Sequence, residues 1–345
     1  MREKIHVLMT GGGSPGAAGI IQCLQKDKRI KLTVCDANEN VVGKYLNQTF
    51  FKTLAATHKN FIPFMMNECK ARKVDVLFPL VTAELNKLSF NKTLFQKQGT
   101  RVIVSDFETL EIANDKGLLH QHLLESKISV ADFRIVNSLF KLKNAFTELG
   151  FPKQAVCVKP TKGNGSRGVR IIDNNADEFD LMFYQKPNSL FMSYHDLLRI
   201  LKQKKFPELL VAEVLPGEEF TIDTLMNNGK CLLIVPRKRI KMNNGISVEG
   251  EIVNQKQIVS YVKKIAATLR LHGPVGFQVK RDQQGKFKLL EINPRIQGTS
   301  VALMGAGINL PLIAVLQEAK INFKVPSIKW GTRFIRYYSE IYFQS

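Results

Sequence analysis

The chain is short of acid: 30 Asp and Glu face 50 Lys and Arg, a formal charge of +20 over 345 residues. A surplus of this size suits nucleic acid, an anionic membrane surface or a polyanionic substrate. It also suits a lysine-rich chain with a nucleotide site that needs positive charge, and the lysines are dispersed. The densest basic cluster, Arg237-Lys238-Arg239-Ile240-Lys241, is short and interrupted. Cysteine pairing is missing as well. Cys23, Cys35, Cys69, Cys157 and Cys231 form no CxxC pair, which excludes thiol-redox and zinc-knuckle spacings and predicts reduced thiols of a cytoplasmic protein. Six histidines form no metal-ligand spacing, and His120 and His122 do not share a helix face. No apolar run is long enough to span a bilayer, because the stretch from Val301 to Leu316 is broken by glycines, Asn309 and Pro311. No leader is expected, since Met1 runs directly into a strand-like segment. The closing Tyr342-Phe343-Gln344-Ser345 resembles a protease-site scar and carries no functional weight.

What remains is ordinary globular composition, 44% hydrophobic and 23% charged, with enough chain for two or three cores. Ile5 to Met9 predicts a strand, followed by Thr10-Gly11-Gly12-Gly13-Ser14-Pro15-Gly16 and an apolar helix. Gly11, Gly13 and Gly16 satisfy G-x-G-x-x-G, and a second strand ends at Asp36. One reading is a dinucleotide site, with pyrophosphate on the helix N-terminus and Asp36 on a ribose. The other is close packing of a strand-to-helix turn. Asp75 to Pro79 and Val102 to Ser105 continue the alternation. Glu84, just past the Asp75–Pro79 strand, stands where open sheets place ligands, and it would bind substrate, cap the next helix or face solvent.

Asn114-Asp115 then caps a helix running to about Lys127. A strand ends in Lys159-Pro160, and the loop Thr161 to Gly168 precedes the strand Val169 to Ile172. That topology differs from a phosphate loop opening a helix. Its glycines would let backbone N–H groups approach phosphate oxygens while Lys159 supplies a point charge. Asp173 to Phe206 predicts part of a lid, with a helix near Tyr194-Leu198. Leu209 to Leu215 and Glu218 to Leu225 predict two strands turned by Pro216-Gly217. A helix is expected from about Gln255 to Leu269. The basic Arg237 to Lys241 would hold an anionic substrate or lie in a solvated loop.

Phe277 to Arg295 predicts a hairpin around Asp282-Gln283-Gln284-Gly285. With an even-numbered loop centred between Gln283 and Gln284, Phe277 faces Leu290. Phe277, Val279, Leu290 and Ile292 then share the core side, and Gln278, Glu291 and Asn293 the other. Oxygen-only donors suit a hard cation such as Mg²⁺, and Arg295 would hold a phosphoryl group.

Glu291-Ile-Asn-Pro-Arg295 resembles the ATP-grasp ligase superfamily. The remaining motifs occur in that family's order: Lys116, Lys159 with its glycine loop, Glu213 to Glu219, and Gln278. Gln at 278 resembles single-unit relatives of the carbamoyl-phosphate synthetase large subunit. The resemblance implies a mixed α/β and α+β fold. A Rossmann-like (pre-ATP-grasp) domain would occupy 1–108. A small lobe or lid with the glycine flap would occupy 109–215, and a large lobe with the Mg/ATP site 216–345. It further implies that ATP is held by Lys116, Lys159, Gly163, Gly165, Ser166 and Gly168, with Glu213, Val214 and Leu215 reading adenine and Glu219 the ribose. Mg²⁺ or Mn²⁺ would sit on Gln278, Glu291 and Asn293, with Arg295 and Lys159 offsetting charge in transfer. The activity implied activates a small-molecule carboxylate as an acyl phosphate for attack by an amine, under a flap that excludes water. A homodimer fits the resemblance. The rivals are an NAD(P)-dependent oxidoreductase using the first glycine motif, and a basic protein binding nucleic acid or a membrane surface.

Overall fold

The computed structural model describes residues 4–163, 165, 167–184, 190–243 and 245–344. The chain divides into two compact units. One comprises Met1–Glu111, Glu219–Val279 and Ile292–Ser345, and the other Ile112–Glu218 and Lys280–Glu291. The architecture is mixed α/β.

The first unit opens with β1 (Ile5–Met9), β2 (Ile30–Asp36), β3 (Phe50–Lys52), β4 (Val76–Phe78) and β5 (Arg101–Val102), a parallel sheet in the order β3-β2-β1-β4-β5. Every residue of β1 is buried. Val7 and Met9 join a core with the helices Ala17–Gln25 and Leu310–Glu318, while Leu8 packs into a second core with the helices Phe61–Ala71 and Thr82–Phe90. A strand covered on both faces needs no polar alternation, which is why Ile5 to Met9 reads as a short apolar run. The doubly wound sheet expected for the N-terminal segment is present. Its last strand is shorter than Val102–Ser105, although Ile103 N–H still donates to Leu77 O at 3.0 Å.

In the second unit, β6 (Phe133–Val136), β7 (Val156–Pro160), β8 (Arg170–Ile172) and β9 (Leu209–Glu213) form an antiparallel sheet in the order β6-β9-β7-β8. The helix Lys116–Glu125 precedes it in sequence, and the helix Tyr194–Leu201 lies between β8 and β9. β7 and β8 pair with Val156 opposite Ile172, so the glycine stretch is a hairpin loop. A Cβ on Gly168 would lie 2.7 Å from Pro160, and its φ of +76° also favours glycine.

The first unit resumes with β10 (Glu219–Asn227), β11 (Lys230–Asn243), β12 (Ile246–Ile252), β13 (Gly273–Arg281), β14 (Phe287–Asn293) and β15 (Arg333–Ile335), in the order β14-β13-β10-β11-β12-β15. Two expectations are corrected here. Leu209–Leu215 and Glu218–Leu225 do not form a hairpin, because β9 and β10 belong to different sheets. Pro216-Gly217 carries the chain across instead, and Gly217 N–H donates to Arg281 O at 3.1 Å.

The late hairpin is present, but its loop has odd length. Asp282 N–H donates to Lys286 O at 2.9 Å, and Gly285 takes φ +77°. That is a three-residue loop with glycine at the left-handed position, held by Asp282 Oδ1, which accepts from the Gln284 and Lys286 N–H groups. One residue of register exchanges the faces of a strand. Phe287 and Leu289 are therefore buried, and Leu290, expected in the core, is half-buried. Burial changes phase between Leu289 and Ile292, and Glu291 and Asn293 are both half-buried.

Candidate active site

In the second unit, Lys116 begins its helix behind Asp115, whose carboxylate accepts from the Gly117 and Leu118 N–H groups. Asp115, rather than Asn114, is the capping side chain. Lys116 is buried, and its ammonium donates to Gly163 O at 2.6 Å. Lys159 alternates away from Val156 and Val158, which pack in the lobe core. It is buried too, and donates to Leu290 O at 3.3 Å. Each ammonium is thus paired with a neutral carbonyl. Burial lowers the Lys116 pKa, Glu291 opposes that shift, and Lys159 adds to it. His120 completes the cluster. Its Nδ1 lies 2.7 Å from Lys116 O and its ring meets Phe133 edge-on. Burial first, then Lys159, pushes its pKa down to about 3, so the ring is neutral. The sequence offered no signal for His120 beyond its position one turn after Lys116.

Glu213 closes β9, and both its groups are engaged. Its N–H donates to Asp132 O at 3.0 Å, and its carboxylate accepts from Asp132 N–H at 2.9 Å. Val214 is half-buried and Leu215 buried. Gly163, Gly165 and Gly168 are exposed in the β7–β8 loop; Ser166 lies outside the described residues.

In the first unit, Glu219 opens β10 and pairs with Arg239 of β11, which also donates to Ser247 Oγ at 3.0 Å. Glu218 is exposed, so Glu219 is the inward member of the acidic pair. Further along the same face Arg237 and Asp223, both fully buried, are bonded at 2.6 Å. Ser300 Oγ donates to Asp223, and Arg237 donates to Thr299 Oγ1 at 2.8 Å. Of the basic run, Arg237 is interior, Lys238 and Arg239 are half-buried, and Ile240 and Lys241 are exposed. Gln278 and Asn293 are half-buried. Their amide oxygens, like the carboxylate of Glu291 in the second unit, are each the kind of donor a hard cation takes. Arg295 Nε donates to Thr82 Oγ1 at 2.9 Å.

Glu84 is neither a solvent residue nor a helix cap. It is 5% exposed, and its Oε2 accepts from Thr10 Oγ1 at 2.5 Å. Burial pushes its pKa up to about 7, opposed by the Thr10 hydrogen bond and reinforced by Asp36. The first glycine motif is a packing device. A Cβ on Gly16 would lie 2.2 Å from Gly298 O, and one on Gly298 1.9 Å from Pro15 O. The backbone of 298 thus lies against the helix start where a pyrophosphate would need to approach. Asp36, which the dinucleotide reading would place on a ribose, accepts from Gly13 N–H at 2.8 Å. Among the described residues no helix is long and apolar enough to cross a membrane, and all five cysteines are free.

Residues 205–333 match the family model described as ATP-grasp in the biosynthetic pathway with Ter operon, and residues 7–103 match the PylC-like N-terminal domain. The carbamoyl phosphate synthase large chain of Clostridium acetobutylicum is 24% identical over 235 residues, covering 68% of this chain and 21% of that protein. The arginine-specific large chain of Bacillus subtilis is 24% identical over 226 residues, covering 63% and 20%. The match therefore spans about a fifth of the length of these relatives. N5-carboxyaminoimidazole synthetase from Staphylococcus aureus, solved with ADP, superposes with a TM-score of 0.72 at 16% identity, over 96% of this chain and 81% of that one. The L-amino acid ligase from Bacillus licheniformis gives 0.68 at 15%, over 93% and 76%. None of these is an oxidoreductase, and the dinucleotide reading finds no support among them.

Proposed function

Because residues 205–333 match an ATP-grasp model and residues 7–103 a PylC-like N-terminal domain, we propose that this chain is an ADP-forming ligase joining a carboxylate to an amine. The observation that carries this reading is the pair of buried ammonium groups, Lys116 and Lys159, each of which, among the described residues, donates to a backbone carbonyl. A buried charge is costly unless it is paired. A polyphosphate supplies several anionic oxygens at once and fits that demand better than any neutral ligand.

In this reading Lys116 and Lys159 bind phosphate oxygens, and the glycines 163, 165 and 168 with Ser166 contribute the loop. The 213–215 backbone receives the adenine and Glu219 the ribose. Gln278, Glu291 and Asn293 would hold Mg²⁺ or Mn²⁺, which supplies charge neutralisation and positions the phosphoryl group. A carboxylate oxygen attacks the γ-phosphorus in line, and the bond to ADP breaks. Lys159 and Arg295 offset the charge that spreads over the transferring group, so the protein contributes positioning and electrostatics. The amine then displaces phosphate from the acyl phosphate. A cytoplasmic homodimer is the accompanying proposal, supported by the family likeness and by the free thiols, and light scattering would read its mass.

The test is a phosphate-release screen of carboxylate and amine pairs with Mg-ATP. Lys159→Ala and Glu291→Ala are each expected to lower turnover at least about 100-fold, in line with losing one transition-state charge partner. Unchanged circular dichroism would accompany that loss. Wild-type-like turnover in both variants would overturn the assignment.

A further inference from the structure

Glu84 has no part in nucleotide binding as proposed above, yet its surroundings are built with care. It lies in the first turn of the helix Thr82–Phe90, directly after β4. Thr10, at the end of β1, donates its hydroxyl to Glu84 Oε2 at 2.5 Å, while Thr10 Oγ1 accepts from Leu80 N–H at 3.2 Å. The Thr10 proton is therefore committed to the carboxyl, which cannot rotate away. Among the described residues no donor reaches the other oxygen, Oε1. Oε1 is not among the fully buried side-chain atoms that lack a partner, so it keeps contact with solvent, where a ligand can reach it. The groups facing it do not supply a cation. Asp36, at the end of β2, adds negative potential, and the neutral thiol of Cys35 lies on the same strand. On a chain of +20 this is a locally anionic spot, at the carboxyl edge where an open sheet receives ligands. Two residues earlier in the same helix, Thr82 accepts from Arg295.

We propose that Glu84 receives the ammonium end of the amine substrate on Oε1 and takes its proton, so that a neutral amine attacks the acyl phosphate. Glu84 is then a catalytic base, and the nucleophile class is a primary amine that is protonated in solution. The step balances as follows. R–NH₃⁺ gives one proton to the Glu84 carboxylate. The nitrogen lone pair forms the C–N bond, and the C–O bond to phosphorus breaks with its electron pair on phosphate. The second nitrogen proton leaves with that phosphate as HPO₄²⁻, and Glu84 returns its proton to water. A carboxyl whose pKa is raised toward neutrality is a stronger base than an ordinary carboxylate, which lessens the uphill transfer from an alkylammonium.

This inference rests on the ligase reading, and the experiment separates the two. ADP release is measured for wild type and Glu84→Gln with a productive carboxylate and either a primary alkyl amine or hydroxylamine. Hydroxylamine is already neutral at about pH 7.5 and traps the acyl phosphate as a hydroxamate without needing a base. With the alkyl amine, kcat/KM of Glu84→Gln is expected to fall about 10²- to 10⁴-fold, the usual contribution of a general base. With hydroxylamine it is expected to stay within about 3-fold of wild type. An equal fall with both nucleophiles would assign Glu84 a structural role, and no fall with either would remove it from the reaction. If the wild type forms neither amide nor hydroxamate with any carboxylate, the ligase reading itself fails and this inference with it.

Discussion

Replacing Glu84 by Gln gives a prediction that needs no substrate. The carboxyl is held at a pKa of about 7 in the folded chain against 4.5 when free. A raised acid pKa means that the folded state binds the proton more tightly than the unfolded state. The Glu84 contribution is therefore most favourable below about pH 4.5 and is lost as pH rises toward 7, because above that range the folded protein carries a carboxylate it disfavours. The shift of roughly 2.5 pH units corresponds to about 3 kcal/mol. Gln keeps the shape and can still accept from Thr10, but it has no charge to bury. Glu84→Gln should therefore be about 3 kcal/mol more stable than wild type at pH 8 and nearly equal to it at pH 4.5. The assay is urea unfolding at the two pH values, followed by fluorescence. The only tryptophan, Trp330, belongs to the same compact unit as Glu84. An equal difference at both pH values, or a less stable variant at pH 8, would refute the reasoning. Stabilisation by removing a residue is the pattern expected where function is kept at the expense of stability.

Other outcomes follow from single contacts. Gly298→Ala should cost about 2–4 kcal/mol in thermal or urea unfolding, because the new Cβ would fall 1.9 Å from Pro15 O and only backbone movement can relieve that. His120 works in the opposite direction to Glu84. Its pKa is pushed down to about 3, so the unfolded chain takes a proton below about pH 6.5 that the folded chain refuses. Its contribution should fall by up to about 1.4 kcal/mol per pH unit on acidification from 6.5 toward 3. His120→Phe should flatten that part of the pH–stability profile measured by urea midpoint.

Much of the fold follows from short-range pattern. Ile5 to Met9 reads as a buried strand because five consecutive apolar residues leave no polar face, and it is covered on both sides. The hairpin near Asp282 is legible because Asp and Gly at fixed offsets make a turn. Its loop length is not, since even and odd loops share the same residues and differ only in which carbonyl the Asp282 N–H finds. That one residue moved Leu289 inward and Leu290 outward. β9 and β10 read equally well as a hairpin, but β9 is paired between β6 and β7 and β10 between β13 and β11, which leaves neither an edge for the other.

The candidate site divides in the same way. Lysines 116 and 159, the glycine loop and the 291–295 segment stand out in the sequence as candidates because they occur in the order of the family they resemble, although each taken singly is weak. Their burial is not found there, because an ammonium's surroundings come from carbonyls as far apart as Leu290 from Lys159. The basic run that begins at Arg237 read equally as an anion site or a solvated loop, and Asp223 on the adjacent strand makes Arg237 interior. Glu84 looked like a cap. Thr10, 74 residues away, makes it a buried acid. Residue order alone determined which elements form and which chemical groups they carry, since periodicity, turn chemistry and capping act over a few residues. Tertiary packing alone decided which of those groups lost water and which partner replaced it. Desolvation depends on neighbours brought together in space, and it is what turns an ordinary side chain into one with a perturbed charge.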